Sequence, residues 1–244
     1  MIQQEVLSAK ALALISHKLR TPLSIINGYS EAILSQAEKE KFSPFTSKAL
    51  EEINKQGTRM SMLVDKLIAF NQVITTEADQ LEKQTVQLKP LLKECAEKAV
   101  AHDEDALPVS GKGGTKRGTF VEIDCSSQQT LHANENMLKL AVQELLENAI
   151  KFNNKMEKTI KVQVANHGDS LSVSVRDYGV GIRPQDVSKI FEPFYQVDDY
   201  FTGQVSGWGL GLALVQRVLD LHQGSISVVS DRGLGSIFTL SFPL

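Results

Sequence analysis

The stretch "GWGLGLALV", Gly207 to Val215, decides the reading of the fold. Glycines at 207, 209 and 211 alternate with larger residues and lead into an apolar helical run. A dinucleotide fingerprint needs Gly-x-Gly-x-x-Gly inside a strand–helix–strand unit. Here the spacing is Gly-x-Gly-x-Gly, and no such unit surrounds it. A Walker loop needs Gly-Lys followed by Ser or Thr, which the sequence lacks. What remains is a set of bare N–H groups at a helix N-terminus, where the dipole favours phosphate. A flexible hinge is the alternative reading of the same glycines.

Working outward, "GLALVQRVLDLHQG" reads as a helix stopped by Gly224. Residues 225–243, "SISVVSDRGLGSIFTLSFP", read as a hairpin. Residues 159–179 read as another, turning at Asn166-His167-Gly168-Asp169. "ENMLKLAVQELLENAIKF", 135–152, is helical, with Leu138, Ala141, Val142, Leu145, Leu146 and Ala149 on one face. Short strands are expected at "TVQL", "FVEIDC" and "TLHA", and a helix over Lys89–Ala101. Residues 102–118, rich in Gly, Pro and charge, read as a loop. Hairpins dominate over βαβ units, so an α/β sandwich is expected, a mixed sheet with helices on one face.

Two further pieces of this half carry chemistry. Glu144 and Asn148 are four residues apart and share a helix face. Their oxygens suit Mg²⁺, and a solvated polar face is the plainer alternative. "DYGVGI" follows a strand, so Asp177 can accept a hydrogen bond from an amino group while Gly179 and Gly181 allow close approach of a flat ligand. An ordinary turn is the alternative there.

The N-terminal part has a different period. Leu12, Ile15, Leu19, Pro22, Ile26, Tyr29 and Ile33 alternate steps of three and four, a coiled-coil seam. Ile53, Met60, Leu63, Leu67 and Ile74 repeat it after the break at "KFSPF", where Pro44 following Ser43 suits a new helix. Each helix should run ~30 residues. Two narrow apolar stripes cannot close a core, so a homodimeric four-helix bundle is expected. Pro22 deprives the Lys18 carbonyl of its helical partner, which predicts a bend beside His17. His17 projects off the seam towards solvent.

The bulk composition narrows the class. Among 244 residues, 26 Lys and Arg against 29 Asp and Glu give a net charge of −3, which argues against nucleic-acid binding and makes any phosphate site local. Cys95 and Cys125 fit no metal spacing and read as reduced thiols of a cytoplasmic protein. No run approaches the ~20 apolar residues of a membrane span, so no membrane contact is expected of this segment. The helical pattern begins at once, with no capping or turn signal before it, as expected of a core cut from a longer protein.

These pieces, in this order, resemble the histidine kinases of two-component signalling over nearly the whole chain. "SHKLRTPLSII" is similar to that family's phosphoacceptor box, "QELLENAIKFN" to its N box and "RDYGVGI" to its first glycine box. "IFEPFYQ" is similar to its F box and "GWGLGLAL" to its second glycine box. The resemblance implies a dimerisation and histidine phosphotransfer domain over 1–78. It implies a Bergerat-type ATP-binding domain over 79–244, with a lid at about 195–208 anchored by Phe191 and Phe194. It makes His17 the phosphate acceptor, with ATP and Mg²⁺ as cofactors and the receiver domain of a response regulator as partner. Asn148 would coordinate Mg²⁺ with Glu144, Lys151 would approach phosphate, and Asp177 would read the adenine amino group. Gly179 and Gly181 would shape the pocket, and Gly207, Gly209, Leu210 and Gly211 would face the phosphates. Thr21 could position water for dephosphorylating the regulator.

Three residues depart from the family pattern. Glu144 stands where many members have Asn, and in related ATPases such a glutamate activates water. Trp208 replaces a small residue. Lys18 stands where members usually carry Glu or Asp. A charged lysine has donors and no acceptor, so it cannot take the proton of the His17 ring. Slow autophosphorylation is therefore expected. The alternatives are a pseudokinase scaffold that binds ATP without efficient transfer, and a Bergerat-fold ATPase.

Overall fold

The computed structural model describes residues 9–36, 42–101, 103, 118–197 and 208–244. Side chains of residues 9–18, 21, 35 and 36 lie outside that description, and with them those of Leu12, Ile15, His17, Lys18 and Thr21. The chain divides into two compact units, Met1–Thr75 and Thr76–Leu244.

The first unit is a helical hairpin of α1 (Ala9–Gln36) and α2 (Pro44–Thr75). At 28 and 32 residues they have the lengths that the periodicity predicts. Helix α1 runs as one element through Pro22, and Ser24 Oγ donates to the Arg20 carbonyl at 2.9 Å nearby. Helix α2 starts where Ser43 Oγ accepts the Thr46 N–H at 3.1 Å, an N-cap interaction just ahead of Pro44.

The hairpin does not close on the seam read from the sequence. Its buried positions are Leu23 and Ser30 on α1 and Gly57, Val64, Phe70 and Val73 on α2. Gly57 lies directly against the Asn27 side chain, whose Nδ2 donates to Ser61 Oγ at 3.2 Å. Of the predicted seam, Ile26, Tyr29, Ile33, Ile53 and Met60 are exposed and Leu19, Leu63, Leu67 and Ile74 half-buried. The heptad pattern thus marks a second face, one turn position away from the contact within the hairpin.

The second unit is an α/β sandwich. Its elements are β1 (Gln84–Gln87), α3 (Leu88–Ala101), β2 (Gly118–Asp124), β3 (Thr130–Ala133), α4 (Glu135–Lys151), β4 (Glu157–Asn166), β5 (Ser170–Arg176), α5 (Gly211–Leu221), β6 (Ser225–Asp231) and β7 (Gly235–Pro243). The main sheet has the order β2-β4-β5-β7-β6, with β2 parallel to β4 and the other pairs antiparallel. It is mixed, as the hairpin-rich sequence predicts. Strands β1 and β3 form a separate two-stranded piece, which the sequence reading did not distinguish.

Register places one apolar row across the main sheet: Val164 opposite Val173, Val173 opposite Leu240, and Leu240 opposite Ile226. Helix α4 buries Leu138, Ala141, Val142, Leu145, Leu146, Ala149 and Ile150. Its N-cap is Asn134, whose Oδ1 accepts the Met137 N–H at 3.1 Å. Helix α5 buries Ala213, Leu214, Val215, Val218, Leu219 and Leu221. Its end differs in detail from the sequence reading: the left-handed residue is Gln223 (φ 57), not Gly224. Gly224 is required for another reason, since a Cβ there would run into the Ser241 carbonyl of β7.

Both cysteines are buried free thiols. Burial pushes the Cys95 thiol up to about 11, which keeps it protonated and unreactive at neutral pH.

Candidate functional site

Helix α4 carries Glu144, Asn148 and Lys151 at spacings of four and three, so all three project from one side, away from the buried apolar face. All are half-buried. The start of α5 comes up to this side: a Cβ on Gly211, the first residue of α5, would collide with the Glu144 carboxylate. The residue before it, Leu210, is buried and offers no side-chain cap, which leaves the first amides of α5 without a capping partner from that residue. The Glu144 carboxylate thus stands beside the N-terminus of α5, with Asn148 one turn farther along the same side of α4. Lys151 sits over the Phe152 ring at 4.7 Å.

Asp177 follows β5 and is 6% exposed. Its Oδ1 accepts the Gly179 N–H at 2.8 Å, and its own N–H donates to the Ser236 carbonyl at 2.9 Å. Burial pushes its carboxyl up from the usual range, opposed by hydrogen bonds from Gly179 and Ser236. A desolvated carboxylate of this kind gains from a further donor such as an exocyclic amine.

The glycines after Asp177 serve the backbone before they serve any ligand. A Cβ on Gly179 would strike the Phe152 carbonyl, the same oxygen that accepts the Val180 N–H at 3.1 Å. A Cβ on Gly181, whose φ of 68° also favours glycine, would strike the Asp231 carbonyl. The Ile182 N–H donates to Ser230 Oγ at 2.8 Å, and Ser230 Oγ lies 2.9 Å from Ser236 Oγ. The Asp177 loop is therefore stitched to the end of α4 and to the β6–β7 hairpin. Sequence reasoning missed Ser230 and Ser236, because nothing in a strand pattern distinguishes a serine that caps a neighbouring loop.

Residue by residue, Glu144 and Gly211 come together, with Asn148 and Lys151 farther along the same side of α4. Asp177, Gly179 and Gly181 form the loop against Phe152 at the end of α4. Gly209 (φ 66) approaches the backbone of Phe194 and Tyr195, and Trp208 is 42% exposed. Gly207 and most of the expected lid, 198–207, lie outside the described residues. At the start of that segment Phe191 is half-buried and the Phe194 side chain is 59% exposed. The tie is made by its backbone, whose N–H donates to the Gly209 carbonyl at 2.7 Å. His17, Lys18 and Thr21 fall within α1, with side chains outside the described part.

The residues fit a nucleotide with a divalent ion in their chemistry: a buried carboxylate for an amine, hard oxygen donors, and backbone amides for phosphate. Family comparison agrees. Residues 8–76 match the His Kinase A (phospho-acceptor) domain, and residues 133–244 match the histidine kinase-, DNA gyrase B- and HSP90-like ATPase domain. The chain belongs to the two-component histidine kinases and comprises their catalytic core.

Among curated relatives, sensor histidine kinase RcsC of Salmonella typhimurium is 30% identical over 233 residues, covering 96% of this chain and 23% of that protein. The phosphate regulon sensor protein PhoR of Pseudomonas aeruginosa is 29% identical over 240 residues, covering 98% of this chain and 51% of its own. The chain thus spans from about a quarter to about half the length of these relatives. In structure it is similar to full-length ShkA in complex with AMPPNP, with a TM-score of 0.73, 25% identity, and coverage of 97% of this chain and 46% of that one.

Proposed function

We propose that this core binds ATP with Mg²⁺ between α4 and the start of α5, transfers the γ-phosphoryl group to His17, and passes it to an aspartate on a response-regulator receiver domain. The observation that carries the reading is the approach of Gly211, the first residue of α5, to the Glu144 carboxylate. One imidazole nitrogen of His17 attacks the γ-phosphorus, the bond to the bridging oxygen breaks, and ADP leaves. Asp177 orients the adenine amine, while the amides at Gly209, Leu210 and Gly211 and the Lys151 ammonium hold the phosphates. Asn148 and Glu144 would hold Mg²⁺, which when bound offsets phosphate charge.

The exposed apolar residues Ile26, Tyr29, Ile33, Ile53 and Met60 support a homodimer that covers them in a four-helix bundle. Lys18 supplies no acceptor for the His17 ring proton, so the account expects transfer to be slow although nucleotide binds normally. Thr21, one turn beyond His17, supports a regulator phosphatase activity assayed separately with Thr21→Ala. Two other readings have their own support: Lys18 favours a scaffold that binds ATP without transfer, and Glu144 beside α5 favours ATP hydrolysis. Incubation with γ-labelled ATP separates the three. The kinase labels His17, the scaffold binds without label, and the ATPase releases phosphate that persists in His17→Ala.

A further inference from the structure

Asp186 is a buried carboxylate, 3% exposed, that none of the roles above uses. Each of its oxygens accepts a hydrogen bond. Arg183 Nε donates to Oδ2 at 2.6 Å, and the Tyr195 hydroxyl donates to Oδ1 at 2.8 Å. These hydrogen bonds, Arg183 first, hold its carboxyl below the usual range, so it is ionised at neutral pH.

Tyr195 leads directly to the α5 site. The residue before it, Phe194, has φ 66°, a left-handed conformation costly for a bulky residue and kept only where the surroundings enforce it. Its N–H donates to the Gly209 carbonyl at 2.7 Å. A Cβ on Gly209 would stand 2.6 Å from the Phe194 carbonyl carbon and 2.8 Å from the Tyr195 nitrogen. Gly209 is two residues before the first residue of α5. The Phe194 ring is mostly exposed, whereas the next residue is anchored by the Tyr195 hydroxyl on buried Asp186.

We propose that Asp186 and Tyr195 are a positioning pair: through the Phe194–Gly209 tie they set the backbone that presents the first amides of α5 to the phosphates of the nucleotide. The proposal rests on the reading of α5 as the phosphate side of an ATP site. It differs from that reading in its prediction, because the adenine side, at Asp177, does not depend on the tie.

The experiment measures ATP, ADP and adenosine affinity with Mg²⁺ on the whole chain, by competition against a fluorescent ADP. The variants are Tyr195→Phe, Asp186→Asn and the pair together. Tyr195→Phe removes one hydroxyl and keeps the ring. It should weaken ATP and ADP about 3- to 10-fold, as expected for one lost hydrogen bond, and leave adenosine unchanged. The double variant should bind ATP no more weakly than Asp186→Asn alone. Amide exchange at 209–213 without nucleotide should quicken in Tyr195→Phe, a readout that needs no ligand. Unchanged exchange together with unchanged ATP affinity overturns the proposal, as does an equal loss for adenosine and ATP. A wild-type chain that binds none of the three overturns the ATP reading as well.

Discussion

Arg20, three residues beyond His17 on α1, donates to the Asp65 carboxylate of α2 at 2.6 Å. It is a cross-hairpin ion pair one turn from His17, the proposed phosphoacceptor. Its side chains are 55% and 65% exposed, so solvent and salt screen it. Asp65→Asn should therefore cost no more than ~1 kcal/mol. Chemical denaturation at low and high salt checks this, and a larger loss would mean the pair holds the hairpin together.

The glycines near α4 separate two kinds of close approach. In Gly179→Ala the new methyl meets the Phe152 carbonyl, which is backbone and cannot move aside. A loss of about 1–3 kcal/mol is expected, as for other overpacking. In Gly211→Ala the methyl meets the tip of the Glu144 side chain, which can swing away. Stability should change little, since Ala favours helix over Gly by about 1 kcal/mol. Nucleotide affinity should fall because Glu144 is displaced from α5. Thermal melts paired with ATP titrations test both halves of the contrast.

Asp177→Asn keeps an oxygen for the Gly179 N–H, so the loop should persist. The charge that would face the adenine amine is gone, and a hydrogen bond to a charged group is worth about 1.5–3 kcal/mol. ATP affinity should drop roughly 10- to 100-fold with the melting temperature unchanged. Retention of full affinity would remove Asp177 from the adenine site.

His222 makes stability depend on pH. The Asn134 N–H donates to its Nε2 at 3.0 Å, so Nδ1 carries the proton and faces the Val218 carbonyl at 2.7 Å. Phe242 meets the ring edge-on, and the charged group acting on it is Lys83. Burial depresses its pKa below the ordinary 6.5, helped by Lys83 and opposed by the Val218 hydrogen bond. The unfolded chain then binds the proton more readily. The contribution of neutral His222 is complete above about pH 6.5 and is lost as pH falls through the interval down to its folded pKa. Urea midpoints from pH 7.5 to 5 should fall less steeply in His222→Gln than in wild type, and parallel curves would contradict the assignment.

Much of this was legible in the sequence because period and punctuation carried it. The α4 face from Leu138 to Ala149 follows from spacing alone, and the turn at Asn166–Asp169 from Gly168, whose φ is 88°. What the sequence hid was of two kinds. In the hairpin, the heptad seam marked an apolar stripe but not which partner covers it. The internal contact uses Asn27, Gly57 and Ser61, which no hydrophobic pattern records. At the site, the Asp186–Tyr195 and Ser230–Ser236 contacts join segments separated by turns, where polar residues read as solvated.

The most direct measurement is the fate of the γ-phosphoryl group. The chain is incubated with γ-labelled ATP and Mg²⁺ as wild type, His17→Ala and Lys18→Glu, and protein-bound label is followed with time. The account predicts slow labelling of wild type, none in His17→Ala, and at least about 10-fold faster labelling in Lys18→Glu, a part of the 10²–10⁴-fold that a positioned base supplies. Label that survives His17→Ala, or a Lys18→Glu chain that binds ATP and still takes up none, would contradict it.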